Sequence, residues 1–192
     1  MKRFLNRFSM FDLVIIALTS ALGIAIKPII VPLIHIITGP LFIPGGAAAG
    51  GFYMLWLVLG IGITGKIGTG TLIGFIQALL VIITGAYGTH GAISIITYTL
   101  PGVMVDVGAK LARERFFSTT VFFILGLIAN VSGTFLSSLA FFRLPLIPLL
   151  LSLSAASLSG GLGGLIAYKI AKELRKTNII NNTNRQGDVS EK

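Results

Sequence analysis

The chain has 192 residues, 54% of them hydrophobic and only 11% charged, with a formal net charge of +9. That balance excludes an ordinary soluble domain of this size and points to an all-α integral membrane protein. The absence of cysteine excludes disulfides and thiolate chemistry. The basic residues stand at the ends of apolar runs, which reads as topology against anionic lipid and not as nucleic-acid binding.

A basic lead of Lys2, Arg3 and Arg7 precedes an apolar run from Phe11 to Ile37. Signal peptides open in this way. Here the run is longer than an h-region and further runs follow, so it is expected to be a retained first helix. One straight helix over the run would span about 40 Å at roughly 1.5 Å per residue, more than the bilayer core of about 30 Å. The straight part is therefore placed at 10–27. Pro28 and Pro32 predict a kink there, or a loop dipping back over the outer surface. Ala17, Ala21 and Ala25 recur at four-residue spacing on this helix. They form a stripe of small side chains that another helix can approach closely.

Thr38-Gly39-Pro40 and Pro44-Gly45-Gly46 mark turns. Five further apolar runs predict helices over about 47–64, 69–85, 91–111, 118–142 and 146–171. Residues 1–176 then make one bundle of six transmembrane helices. The polar, Asn-rich stretch 177–192 has no apolar period and is expected to be a disordered cytoplasmic tail. Charge fixes the orientation. With the N-terminus inside, the inner flanks hold Lys2, Arg3, Arg7, Lys66, the Lys110–Arg115 cluster, and Lys169 through Lys176. The outer flanks hold Lys27 and Arg143. This asymmetry predicts that both termini are cytoplasmic.

Two glycine patterns mislead. Gly60 to Gly65 matches G-x-G-x-x-G, and Gly60 to Lys66 begins a P-loop. Ile67 stands where the P-loop needs a Ser or Thr, and neither pattern joins a strand to a helix. No ATP site, cofactor or catalytic cluster is expected, so the chain is read as a non-enzyme. No metal spacing is found either; a site built from His35 and His90 is the weaker alternative.

Polar groups inside a bilayer are functional candidates. Lys27 either snorkels to the headgroups or points into an outer cavity. Gln77 and Asn130 sit mid-helix, as interhelical hydrogen-bond partners or ligand contacts. Tyr53 and Trp56, three residues apart, either pack in the core or stack on an aromatic ligand. Tyr87, Thr89 and His90 form an outer loop, as an interfacial belt or a lid, and Tyr98 follows on the next helix. Asp106, near the inner end, is expected to pair with a nearby Lys or Arg.

The chain resembles the S components of energy-coupling factor (ECF) vitamin transporters. The six-helix layout and an Ala17-x-x-x-Ala21 motif carry the resemblance. The block from Gly39 to Asp106 is similar to the hydroxymethylpyrimidine/thiamine-related branch. It contains Gly39-Pro40, Leu55-Trp56, Lys66-Ile-Gly68, Gln77, Gly85-Ala-Tyr-Gly88 and Leu100-Pro-Gly102. The resemblance implies a membrane subunit that captures a vitamin or precursor from outside, with Tyr53, Trp56 and Gln77 suited to a flat heteroaromatic ring; Lys27, Tyr87, His90, Tyr98 and Asn130 complete the candidate binding residues by their polar positions. It also implies docking, through Ala17, Ala21 and Ala25, on a transmembrane coupling protein with two ATPase subunits. A stand-alone small transporter or channel, and a membrane assembly factor, are the competing readings.

Overall fold

The computed structural model describes residues 7–85 and 91–176; Tyr87, His90 and the tail from residue 177 lie outside them. Every regular element among the described residues is helical. Helix α1 (Met10–Ala25) starts at a capping box. The Ser9 hydroxyl accepts from the Asp12 N–H at 3.3 Å, and the Ser9 N–H donates to Asp12 Oδ2 at 2.7 Å. After Ile26 the chain does not become a loop. It enters a second helix, α2 (Lys27–Thr38). Pro28 falls in the first turn of α2, where a missing N–H leaves no carbonyl unserved, so one of the two expected breakers starts a helix instead. Pro32 stays inside it.

A short 3₁₀ turn (Gly39–Leu41) leads to α3 (Gly45–Thr64), which ends at Gly65 in the left-handed region, φ +65°. Then follow α4 (Thr69–Thr84), α5 (Ser94–Ala112) and α6 (Thr119–Ser137). A π-helical turn, Ser138–Phe142, extends α6, and α7 (Leu146–Lys176) closes the bundle. Among the described residues five stretches are long and apolar enough to cross a membrane, the first of them Met10–Leu41 with 32 residues, which holds α1 and α2. Helix α4 is apolar but has 16 residues, about 24 Å at 1.5 Å per residue, shorter than a bilayer core of about 30 Å.

Glycine brings the helices together. A methyl added at Gly126 would collide with the Gly160 carbonyl, and one at Gly164 with the Phe122 carbonyl, so α6 and α7 touch backbone to backbone. Gly51 and Gly163 do the same for α3 and α7, and Gly70 and Gly102 for α4 and α5. Between them lies a packed core of Ile16, Leu57, Ile61, Ile73, Phe122 and Leu125. Phe122 meets Phe117 edge-on at 5.3 Å and Tyr168 at 5.4 Å.

This solid core occupies the end of the bundle where α1 begins and α7 finishes. Lys66, on the α3–α4 turn, holds Asp12 at 2.7 Å and so ties the start of α1 to that turn. Arg175 donates to the Gly62 carbonyl at 2.8 Å and lies over the Phe117 ring. Asp106 departs from expectation. It pairs with no cation among the described residues. Its carboxylate takes the Gly70 N–H at 3.2 Å, the Thr71 N–H at 2.7 Å and the Thr71 hydroxyl at 2.6 Å. The residue before α4 is Gly68, which has no side chain to cap the free N–H groups of that helix. A carboxylate from α5 does so instead, favoured by the helix dipole. Asp106→Ala is expected to destabilise by about 3 kcal/mol through lost charge-assisted bonds. That corresponds to a melting point roughly 6–12 °C lower in a detergent thermal-shift assay. An unchanged melting point would remove the cap from this account.

Candidate functional site

The opposite end of the bundle is hollow. A cavity of about 430 Å³ lies between α2, α3, α5 and the end of α6. Leu57, at its floor, also belongs to the packed core. Its volume falls within the range of small-molecule pockets, about 300–1,000 Å³.

Four residues singled out from the sequence line this cavity together: Lys27, Tyr53, Gln77 and Tyr98. Lys27 begins α2 and turns inward. Its Nζ donates to the Tyr98 hydroxyl at 2.8 Å and stands 4.0 Å from the Tyr98 ring centre and 4.3 Å from that of Tyr53. Such distances give favourable cation–π contact. The Tyr53 hydroxyl donates to the Gly46 carbonyl at 2.5 Å, which fixes the ring against the cavity wall. Gln77 reaches in from α4. It is 5% exposed, and its Nε2 is buried without a hydrogen-bond partner. Gly23 makes room for it, since a methyl there would strike that Nε2.

The other candidates sit elsewhere. Trp56 packs partly buried against the core cluster, and Gly23 lies beside its ring. Asn130 is fully buried and ties three helices, donating to the Ala47 and Ala156 carbonyls at 2.9 Å each. Neither lines the cavity. Ala17, Ala21 and Ala25 are exposed on α1, while Asp12, Ile16, Thr19, Ser20, Gly23 and Ile24 form its buried face.

The sequence raised His35 only as half of a metal-site alternative with His90 and passed over other lining groups. His35 lines the cavity, and its Nδ1 accepts the Gly45 N–H at 3.2 Å. Lys27, Val31 and His35 recur at four-residue spacing along one wall, a pattern visible only if the segment is helical. Ser137 and Ser138 come from the junction of α6 with its π-turn, and Phe42 and Phe142 stand half or more exposed at the rim. Phe42 holds a left-handed backbone, φ +56°.

The arrangement can bind but offers no catalytic constellation. Hydrogen-bond donors and ring faces converge on an apolar hollow, which is how a pocket orients a small ligand.

Residues 11–132 match the family described as ABC-type cobalt transport system, permease component. The fold is similar to a solved S component of an ECF transporter, with a TM-score of 0.72 and 18% identity. That similarity covers 96% of this chain and 98% of the other. No curated protein matches the sequence.

Proposed function

We propose that this chain, which belongs to the family of ABC-type cobalt transport system permease components, is the substrate-capturing S component of an energy-coupling factor importer. Membership in a transporter family and, among the described residues, a helical fold with five membrane-length apolar stretches make it a multi-pass membrane protein, not an enzyme. The fold shared with a solved S component supports the finer class. Positive charge supports an orientation. Lys66, Arg113, Arg115 and Arg175 cluster at the solid end, against Lys27 and Arg143 at the hollow end. The positive-inside bias then turns the cavity outward and both termini inward, with α4 as a sixth, short span. Ala17, Ala21 and Ala25 face away from the bundle, where a transmembrane coupling protein carrying two ATPase subunits would dock.

The substrate in this reading is a flat heteroaromatic vitamin or vitamin precursor, of the hydroxymethylpyrimidine/thiamine class. The observation that carries it is Lys27 on an apolar lining shared with Gln77: beyond the N–H given to Tyr98 it has donors that a ring nitrogen or carbonyl of a ligand can accept. Tyr53 and Tyr98 hold the Lys27 ammonium in place from their ring faces. A cobalt cargo fits less well. Among the described residues no group of three or more His, Cys, Asp or Glu could hold a metal ion, and the Lys27 ammonium repels a divalent cation in the same hollow.

The test is the cargo itself. Protein purified in detergent from cells grown in rich medium is denatured, and the released material is analysed by mass spectrometry for organics and metals. A pyrimidine or related ring at about one per chain is expected for a high-affinity pocket. Stoichiometric cobalt with no organic compound would overturn the substrate class.

A further inference from the structure

The cavity lining holds a cation with no carboxylate to answer it. Its ionisable side chains, among the described residues, are Lys27, His35, Tyr53 and Tyr98. Asp12 and Asp106 are engaged at the opposite end of the bundle, with Lys66 and with the start of α4. Two ring faces turned to one point make a seat for a positive charge. In this protein Lys27 occupies that seat itself, 4.0 and 4.3 Å from the two ring centres, steadied by the Tyr98 hydroxyl. A cationic ligand would therefore find the seat taken and a like charge beside it.

The remaining polar groups point the same way. His35 Nδ1 is committed to the Gly45 N–H, so a neutral His35 carries its own proton on Nε2 and offers it as a donor. Gln77 lies on the lining with its Nε2 closed off against Gly23. Lys27 offers two further N–H groups beyond the one given to Tyr98. Donors thus come from Lys27 and His35, both on α2, onto one hollow.

We infer that Lys27 sets the charge selectivity of the site: it admits uncharged or anionic ring compounds that present acceptor atoms to its ammonium, and excludes their cationic counterparts. This rests on the S-component reading and narrows its substrate class to the precursor side. Tyr53 and Tyr98 serve the lysine first and the ligand only through it.

Titration calorimetry on the full chain in detergent, freed of bound material, tests this with three probes. They are hydroxymethylpyrimidine, uncharged at neutral pH; a pyrimidine carboxylate, anionic; and thiamine, which carries a similar pyrimidine on a cationic thiazolium. The wild type is expected to bind one or both of the first two at least about tenfold tighter than thiamine. Which of the two binds tighter tells whether the acceptor is a lone pair or a charge. Lys27→Met is expected to erase or reverse the preference, and Lys27→Arg to keep it. A wild type that binds thiamine as tightly as the others overturns the inference, as does a ratio that Lys27→Met leaves untouched. If Lys27→Met fails to fold, the wild-type ratio and Lys27→Arg decide. Binding of none of the three defeats the pyrimidine reading, and this inference with it; binding without charge preference defeats the inference alone.

Discussion

Ala17→Trp is expected to lower uptake by roughly two orders of magnitude in cells carrying a complete importer, while the purified variant keeps its ligand affinity. The reason is where Ala17 lies. It is exposed on α1, a face away from Asp12, Ile16 and Ser20, which carry the internal contacts of that helix. A bulky side chain there meets nothing within the chain. It meets only what packs against α1 from outside. Overfilling a close helix–helix contact costs about 1–3 kcal/mol, and the upper figure lowers the docked fraction roughly a hundredfold. Ala21→Trp is expected to behave alike. Uptake and ligand affinity measured side by side decide the matter. If both fall together, the stripe supports the cavity. If neither falls, α1 is not the docking face.

The second large effect is on folding. Gly164→Leu is expected to destabilise the bundle by roughly 3–5 kcal/mol, through overpacking where no neighbour can yield. The obstacle is the Phe122 carbonyl, a backbone group inside α6, which a rotamer change does not move. Gly126 and Gly160 face each other in the same seam, so the whole α6–α7 contact would have to open. In a thermal-shift assay this corresponds to a melting point lower by roughly 6–20 °C. Leu162→Ala is the control: Leu162 lies two residues away, is 59% exposed, and is expected to change stability little. Equal behaviour of the two variants would refute the seam.

Both effects bear on how far the sequence determines this protein. Its apolar runs dictate helices of membrane length, because a run of Leu, Ile and Val interrupted only by turn residues and flanking charges has few other folded solutions. The sequence also marks Lys27, Tyr53, Gln77 and Tyr98 as unusual, since polar groups within such runs need partners. It does not say which of them meet. Tyr53 and Trp56 are three residues apart on α3, yet one lines the cavity and the other packs beside Gly23 and the core. Asn130 looked equivalent to Gln77 from hydropathy. In the bundle it spends its amide on the Ala47 and Ala156 carbonyls, while the Gln77 nitrogen stays unpartnered.

The tertiary structure decided the rest through contacts between distant segments. Two prolines suggested a kink or a surface loop after Lys27. A second helix starting at Lys27 carries Lys27 and His35 along one wall of the hollow. Asp106 caps α4 because Gly70 and Gly102 let two backbones touch, an arrangement that hydrophobic periodicity does not encode. Local pattern fixes which segments are helical, since a helix bonds to itself. Which faces meet, and where a cavity remains, depends on how glycine seams far apart in the chain align the helices.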